Sequence, residues 1–173
     1  PQIILPVTIV YNILSHINMQ THKNIINEIK TAQQINMLSI RQPFAGMMVH
    51  GKLETRTRRT NYRGWVLFQS TLNWFDAQQL NEICHPHQIK QMEQLNPMAV
   101  AIQQRGIALA IGKLIDCRPM SIDDEKLAFI KYNPNLYVYV YESVMPVKPF
   151  ALKGSQSMFA LPAKYIQLIQ PLQ

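Results

Sequence analysis

Three apolar runs constrain this chain more than any other feature. GWVLFQS (residues 64–70) reads as a buried strand opened by Gly64. GIALAIGKLIDC (106–117) is a long apolar strand, in which Gly112 marks a bulge. LYVYVYE (136–142) alternates Tyr and Val with period two, so its faces differ. Helical patterns fall between and after them. Residues 76–95 are Gln-rich and helical with a break at His85-Pro86. IDDEKLAFI is a helix capped by Ser121, with Asp123, Asp124 and Glu125 in its first turn. PAKYIQLI begins a last helix with Pro162 at its first position. Short strands and helices without a βαβ period predict an α+β fold around a small β-barrel flanked by short helices.

The segment before the first strand differs from the rest. Residues 1–36 are rich in Ile, Asn and Gln and hold no Gly. They are read as an N-terminal extension, either appended or an amphipathic helix packed on the domain through Ile25, Ile26, Ile29 and Ala32. A single domain is expected from Met37 to the end, residues 37–173. Within it LSI is a strand ended by Pro43, FAGMMVH a short helix with Gly51 at its C-cap, and LETRTR one arm of a charged hairpin.

Charge narrows the partners. Seventeen Lys and Arg against ten Asp and Glu leave a net +7, which favours anionic partners. Cys84 and Cys117 are too few for a disulfide scaffold, so reduced thiols and a cytoplasmic setting are expected. IILPVTIVYNIL (3–14) is interrupted by Pro6, Thr8 and Asn12 and falls short of the ~20 apolar residues of a span, so no membrane association is expected. Cys84-His85-Pro86-His87 with distant Cys117 matches no zinc spacing. No metal and no cofactor is expected.

Between two apolar runs lies GKLETRTRRTNYRGW (51–65), with Lys52, Arg56, Arg58, Arg59 and Arg63 and the single carboxylate Glu54. A carboxylate between Lys52 and Arg56 would stay charged and could orient the Arg56 guanidinium, a planar fork suited to phosphate or a base edge. Arg58, Arg59, Arg63 and Tyr62 form the basic and aromatic mixture that suits single-stranded RNA, or else a solvated face. Trp65, Trp74, Phe75 and the Tyr137, Tyr139, Tyr141 stripe are read as packing.

LSIRQPFAGMMVHGK, then ETR, then YRGWVLF, with GIALAIGKLIDCRP and FALKGSQSMFAL downstream, resembles the ASCH domain family, relatives of the RNA-binding PUA fold. The resemblance spans roughly residues 37–168 and implies a PUA-like barrel whose motif Lys, Glu and Arg converge on a cleft. On this sequence that cleft would be lined by Gln42, Lys52, Glu54, Arg56, Arg63, Lys153 and Gln156, and would take RNA or a nucleotide. Two departures stand out. The family sets its motif glycine five residues before the glutamate, whereas Gly51 is three before Glu54. A one-residue slip in an extended arm would turn Lys52 to the opposite face. Ser157 stands where the family commonly has glycine.

The resemblance also implies two rival functions. One branch of the family resembles amidohydrolases acting on acetylated cytidine, with a threonine nucleophile two residues before the arginine. Here that position is Glu54, and Thr55 falls out of register on the other side of an extended strand. Other members are suggested to cut RNA, for which Lys52, Tyr62, Arg63 and Lys153 would stabilise phosphate charge. A hydrolase on RNA or a modified nucleoside, with Lys52 and Glu54 catalytic, requires those two side chains together deep in a pocket. The other rival is a protein-interaction module in transcription regulation.

Overall fold

The computed structural model describes residues 21–172; the run at 3–14 lies outside them. Residues 21–31 are helical (α1). Then follow β1 (Asn36–Gln42), α2 (Phe44–Met47), β2 (Glu54–Arg56), β3 (Gly64–Trp74), α3 (Ala77–Ile83), α4 (Pro86–Leu95), α5 (Met98–Ala101) and β4 (Ile107–Pro119). The chain ends with α6 (Glu125–Ala128), β5 (Tyr137–Ala151), β6 (Phe159–Ala160) and α7 (Ala163–Ile166). The fold is α+β. No helix among the described residues is long and apolar enough to cross a membrane.

All six strands join one mixed sheet in the order β2-β5-β4-β3-β1-β6. Only β1 and β3 run parallel. The sheet does not close: β2 and β6 are its edges and do not pair with each other. Its two faces bury separate clusters. Leu38, Val66 and Phe68 point to one, Met37 and Leu67 to the other, as a period of two requires. This double burial explains why WVLF is a continuous apolar run instead of an alternating one. Ile25 and Ile29 of α1 pack into the second cluster against Met37, Trp65 and Leu67.

Local chemistry matches the elements. Gly112 sits where the β4–β5 register slips between Ile111 and Lys113, and a Cβ there would lie 3.0 Å from Val144 and 3.1 Å from Phe68. His85-Pro86 separates α3 from α4, and Asp76 caps α3 by accepting from the Gln79 N–H at 2.8 Å. Ser121 and Asp124 form a capping box over a 3-10 turn that leads into α6. Pro162 lies one place earlier than its pattern predicts, capping α7 instead of opening it.

LETRTR is not one arm of a hairpin with the following run. β2 pairs antiparallel with β5, Glu54 opposite Tyr139 and Arg56 opposite Tyr137, while β3 pairs with β1 and β4. Residues 57–63 therefore cross from the sheet's edge to its interior as a loop.

Candidate functional site

The site begins with a turn. α2 tightens into a 3-10 turn at Met48–His50, which Gly51 ends in the left-handed region at φ 79°. The chain then reverses, with the Lys52 N–H donating to Met47 at 3.4 Å and the Leu53 N–H to Leu127 at 3.0 Å. This anchors the shortened link between glycine and glutamate. Lys52 turns inward with only 4% of its surface exposed, and Glu54 is buried beside it.

Lys52, Glu54 and Arg56 form one ion network. Lys52 Nζ lies 3.0 Å from Glu54 Oε2 and donates to the Leu53 carbonyl at 2.8 Å. Arg56 Nε lies 2.9 Å from Glu54 Oε1 as an ion pair, off the hydrogen-bonding direction. Burial pushes the Glu54 carboxyl up, yet Lys52 and Arg56 together hold it below the usual range. Burial lowers the Lys52 ammonium by more than Glu54 restores. Two cations thus share one carboxylate, which leaves the network positive.

This network floors a cavity of about 590 Å³. Phe44, Phe75, Ile83 and Ile130 supply its apolar wall; Arg41 and Lys131 stand among its other lining residues. Lys52 Nζ sits 5.0 Å from the Phe44 ring centre, and the Arg41 guanidinium lies 3.9 Å over Phe75. Thr55, expected to face away, also borders the cavity. The cavity lies where the sheet fails to close. Across that gap Arg56 of β2 donates through Nη2 to the Ser39 carbonyl of β1 at 2.6 Å. Arg56 also borders a second cavity, about 760 Å³, which Lys153 and Gln156 line. Arg58 and Gln156 share a smaller one with Arg56.

The other expected residues separate. Gln42 is fully buried, donating to the Gln104 carbonyl and accepting from the Gly46 N–H, each at 3.0 Å; it braces α2 and does not line the cavity above Lys52. The Tyr62 hydroxyl lies 3.1 Å from the Gln34 carbonyl and 2.9 Å from that of Trp65, so its ring folds back over Gly64. Arg63 is exposed, held by the Thr60 and Tyr62 carbonyls and 3.5 Å from Asp116. Arg58 and Arg59 are exposed. Tyr139 is buried and donates to the Arg58 carbonyl at 2.7 Å. Trp65 is core, whereas Trp74 is 38% exposed.

Arg41, Phe44, Phe75, Lys131 and the second carboxylate of the lining, Glu82, are among the cavity residues that sequence reasoning missed as site residues. Arg41 stood within LSIRQP as a polar residue between strand and proline, the one signal available. Among the described residues no histidine borders the cavity. Cys84 is buried, and burial pushes its thiol up to about 11. Among the described residues no three His, Cys, Asp or Glu side chains are placed to hold a metal ion.

A positive, partly apolar cavity with a fixed guanidinium suits a planar ligand bearing anionic or carbonyl groups. No family model matches the sequence, and no curated protein is similar to it. Likeness appears at the level of structure. A single-residue variant of the ASCH protein from Zymomonas mobilis superposes with a TM-score of 0.50, covering 80% of this chain and 100% of that one, at 12% identity. The ASCH crystal structure from the same organism aligns at TM-score 0.48 and 11% identity, over 79% of this chain and 93% of that one. The fold is thus of the ASCH type, as the motifs led one to expect.

Proposed function

We infer that the chain binds RNA or a nucleotide, with the cavity above Lys52, Glu54 and Arg56 as the binding cleft. One observation carries this reading: two cations converge on one buried carboxylate at the floor of an open cavity, leaving an uncompensated positive charge there. An anionic ligand supplies the missing charge, and the aromatic wall at Phe44 and Phe75 accommodates a base. The net charge of +7 adds long-range attraction. Titration of single-stranded RNA and of mononucleotides against wild type and Arg56→Gln at two salt concentrations tests it. Arg56→Gln keeps the Lys52–Glu54 pair. It is expected to weaken binding about tenfold and to reduce the salt slope by about one. Unchanged affinity refutes the cleft.

A second reading has its own support. Lys52 and Glu54 sit together, buried, at the cavity floor, as a hydrolase acting on RNA or a modified nucleoside requires. Burial lowers the Lys52 ammonium below its ordinary value, and the neighbouring carboxylate orients it. Incubation with acetylated cytidine and with single-stranded RNA decides this reading: no turnover by fresh protein removes it.

A further inference from the structure

Three cavities meet around the end of β3, and the residue between them is Trp74. The site cavity reaches Arg41 and Phe75; the second cavity reaches Thr71, Leu72 and Asn73. A third, about 460 Å³, shares Arg41 with the first and Asn73 with the second and is itself bordered by Trp74. Trp74 is partly exposed at this junction, and Leu72 beside it is 71% exposed. Trp74 is held twice, its ring by Arg105 and its backbone by Arg41. The Arg105 guanidinium lies 4.4 Å over its ring and donates to the Leu72 carbonyl at 2.9 Å. Arg41 Nη2 donates to the Trp74 carbonyl at 2.6 Å. The carboxylate bordering this junction, Asp76, is occupied in capping α3.

A partly exposed indole with Arg105 against its ring, next to a positive cleft, has the make-up of a stacking platform for nucleic acid. Arginines neutralise phosphates and the ring accepts a base face without selecting its sequence. Core packing does not explain the exposure, and Arg41 makes the surface continuous with the cleft. We propose that Trp74 stacks a second base of single-stranded RNA whose neighbouring nucleotide occupies the Lys52–Glu54–Arg56 cavity, so that the ligand is an oligonucleotide and not a lone nucleotide. This rests on the binding reading above and extends it by one nucleotide subsite.

The chain holds two tryptophans, and Trp65 is buried at 4% exposure, so a ligand at this subsite acts on the emission of Trp74. The experiment titrates adenosine monophosphate and a tetra-adenylate against wild type, Trp74→Ala and Trp74→Phe, reading fluorescence and affinity. Tetra-adenylate is expected to bind wild type more tightly than the monophosphate and to quench its emission. Trp74→Ala should weaken tetra-adenylate about tenfold and change the monophosphate less than twofold, with Trp74→Phe recovering most of the loss. Tetra-adenylate binding Trp74→Ala as tightly as wild type overturns the inference; a protein docked on this face would give that result. Wild type binding the monophosphate but gaining nothing from added length overturns the subsite alone. Wild type binding neither ligand overturns the cleft reading and the subsite together.

Discussion

Two arginine–carboxylate networks occupy opposite situations in this molecule. Arg118 meets Asp124 bidentately, Nη1 to Oδ2 at 2.7 Å and Nη2 to Oδ1 at 2.8 Å. Asp124 also accepts from the Ser121 N–H and hydroxyl. One carboxylate there answers one cation and one helix start, and Arg118 remains partly in water. Lys52, Glu54 and Arg56 use similar groups differently: two cations crowd one carboxylate, both members of the first pair are buried, and a cavity opens above them. The outer network is balanced in charge and hydrogen bonds, so it stabilises the fold and offers nothing to a ligand. The inner one is short of a negative charge. That shortfall distinguishes a site from a clasp.

The contrast breaks if the two networks respond alike to substitution. Lys52→Met leaves Glu54 buried with Arg56 as its remaining partner, and should cost about 3–5 kcal/mol in urea denaturation. Lys52→Met together with Glu54→Leu removes both charges of the buried pair. It should restore stability to the wild-type level or above, and because Arg56 then stands as an unpaired cation at the floor, RNA affinity lost in Lys52→Met should return towards wild type. Recovery of stability without recovery of binding in that double variant would end the case for the surplus charge as the binding determinant. Asp124→Asn, by contrast, should cost about 1–2 kcal/mol through the weakened cap and fork and leave RNA affinity unchanged.

Acid sharpens the same comparison. Glu54 and Asp124 both titrate below their ordinary values in the fold, Asp124 through Arg118 and Ser121 and Glu54 through its two cations. Their stabilisation is therefore complete above the unfolded-chain values of about 3.9 for Asp and 4.3 for Glu, and is lost as pH falls below them. Urea midpoints between pH 3 and 7 should decline below about pH 4.5 in wild type, and less steeply in Asp124→Asn. The smallest effect belongs to the exposed loop. Arg58→Ala with Arg59→Ala should shift stability by less than about 0.5 kcal/mol and lower the salt slope of RNA binding by up to about two.

The inner network was legible because it is local. Glu54 and Arg56 alternate within β2 and Lys52 precedes them by the same step of two, and the family motif placed these three around one cleft. Gln42 was misread because its role depends on the Gln104 carbonyl, far along the chain, which no local pattern announces. The hairpin was misread for a related reason: β2 finds its partner in β5, and an apolar run next in sequence need not be next in the sheet. Tyr62 looked like a stacking ring until Gly64, lacking a side chain, gave its phenol a place to lie. Phe75 and Lys131 join the site only through tertiary folding. The α+β class and the bulge at Gly112 were readable because burial and period two act within single strands.

The unclosed sheet has one further consequence. Between β2 and β1 the backbone ladder is missing, and a single guanidinium spans the interval to the Ser39 carbonyl. The latch that holds the two margins together is the same group that, in the proposed function, meets the ligand. Occupancy and seam integrity are therefore thermodynamically linked: a guest that draws on Arg56 must either share it with Ser39 or release that margin. Amide exchange in β1 would then report how full the cleft is.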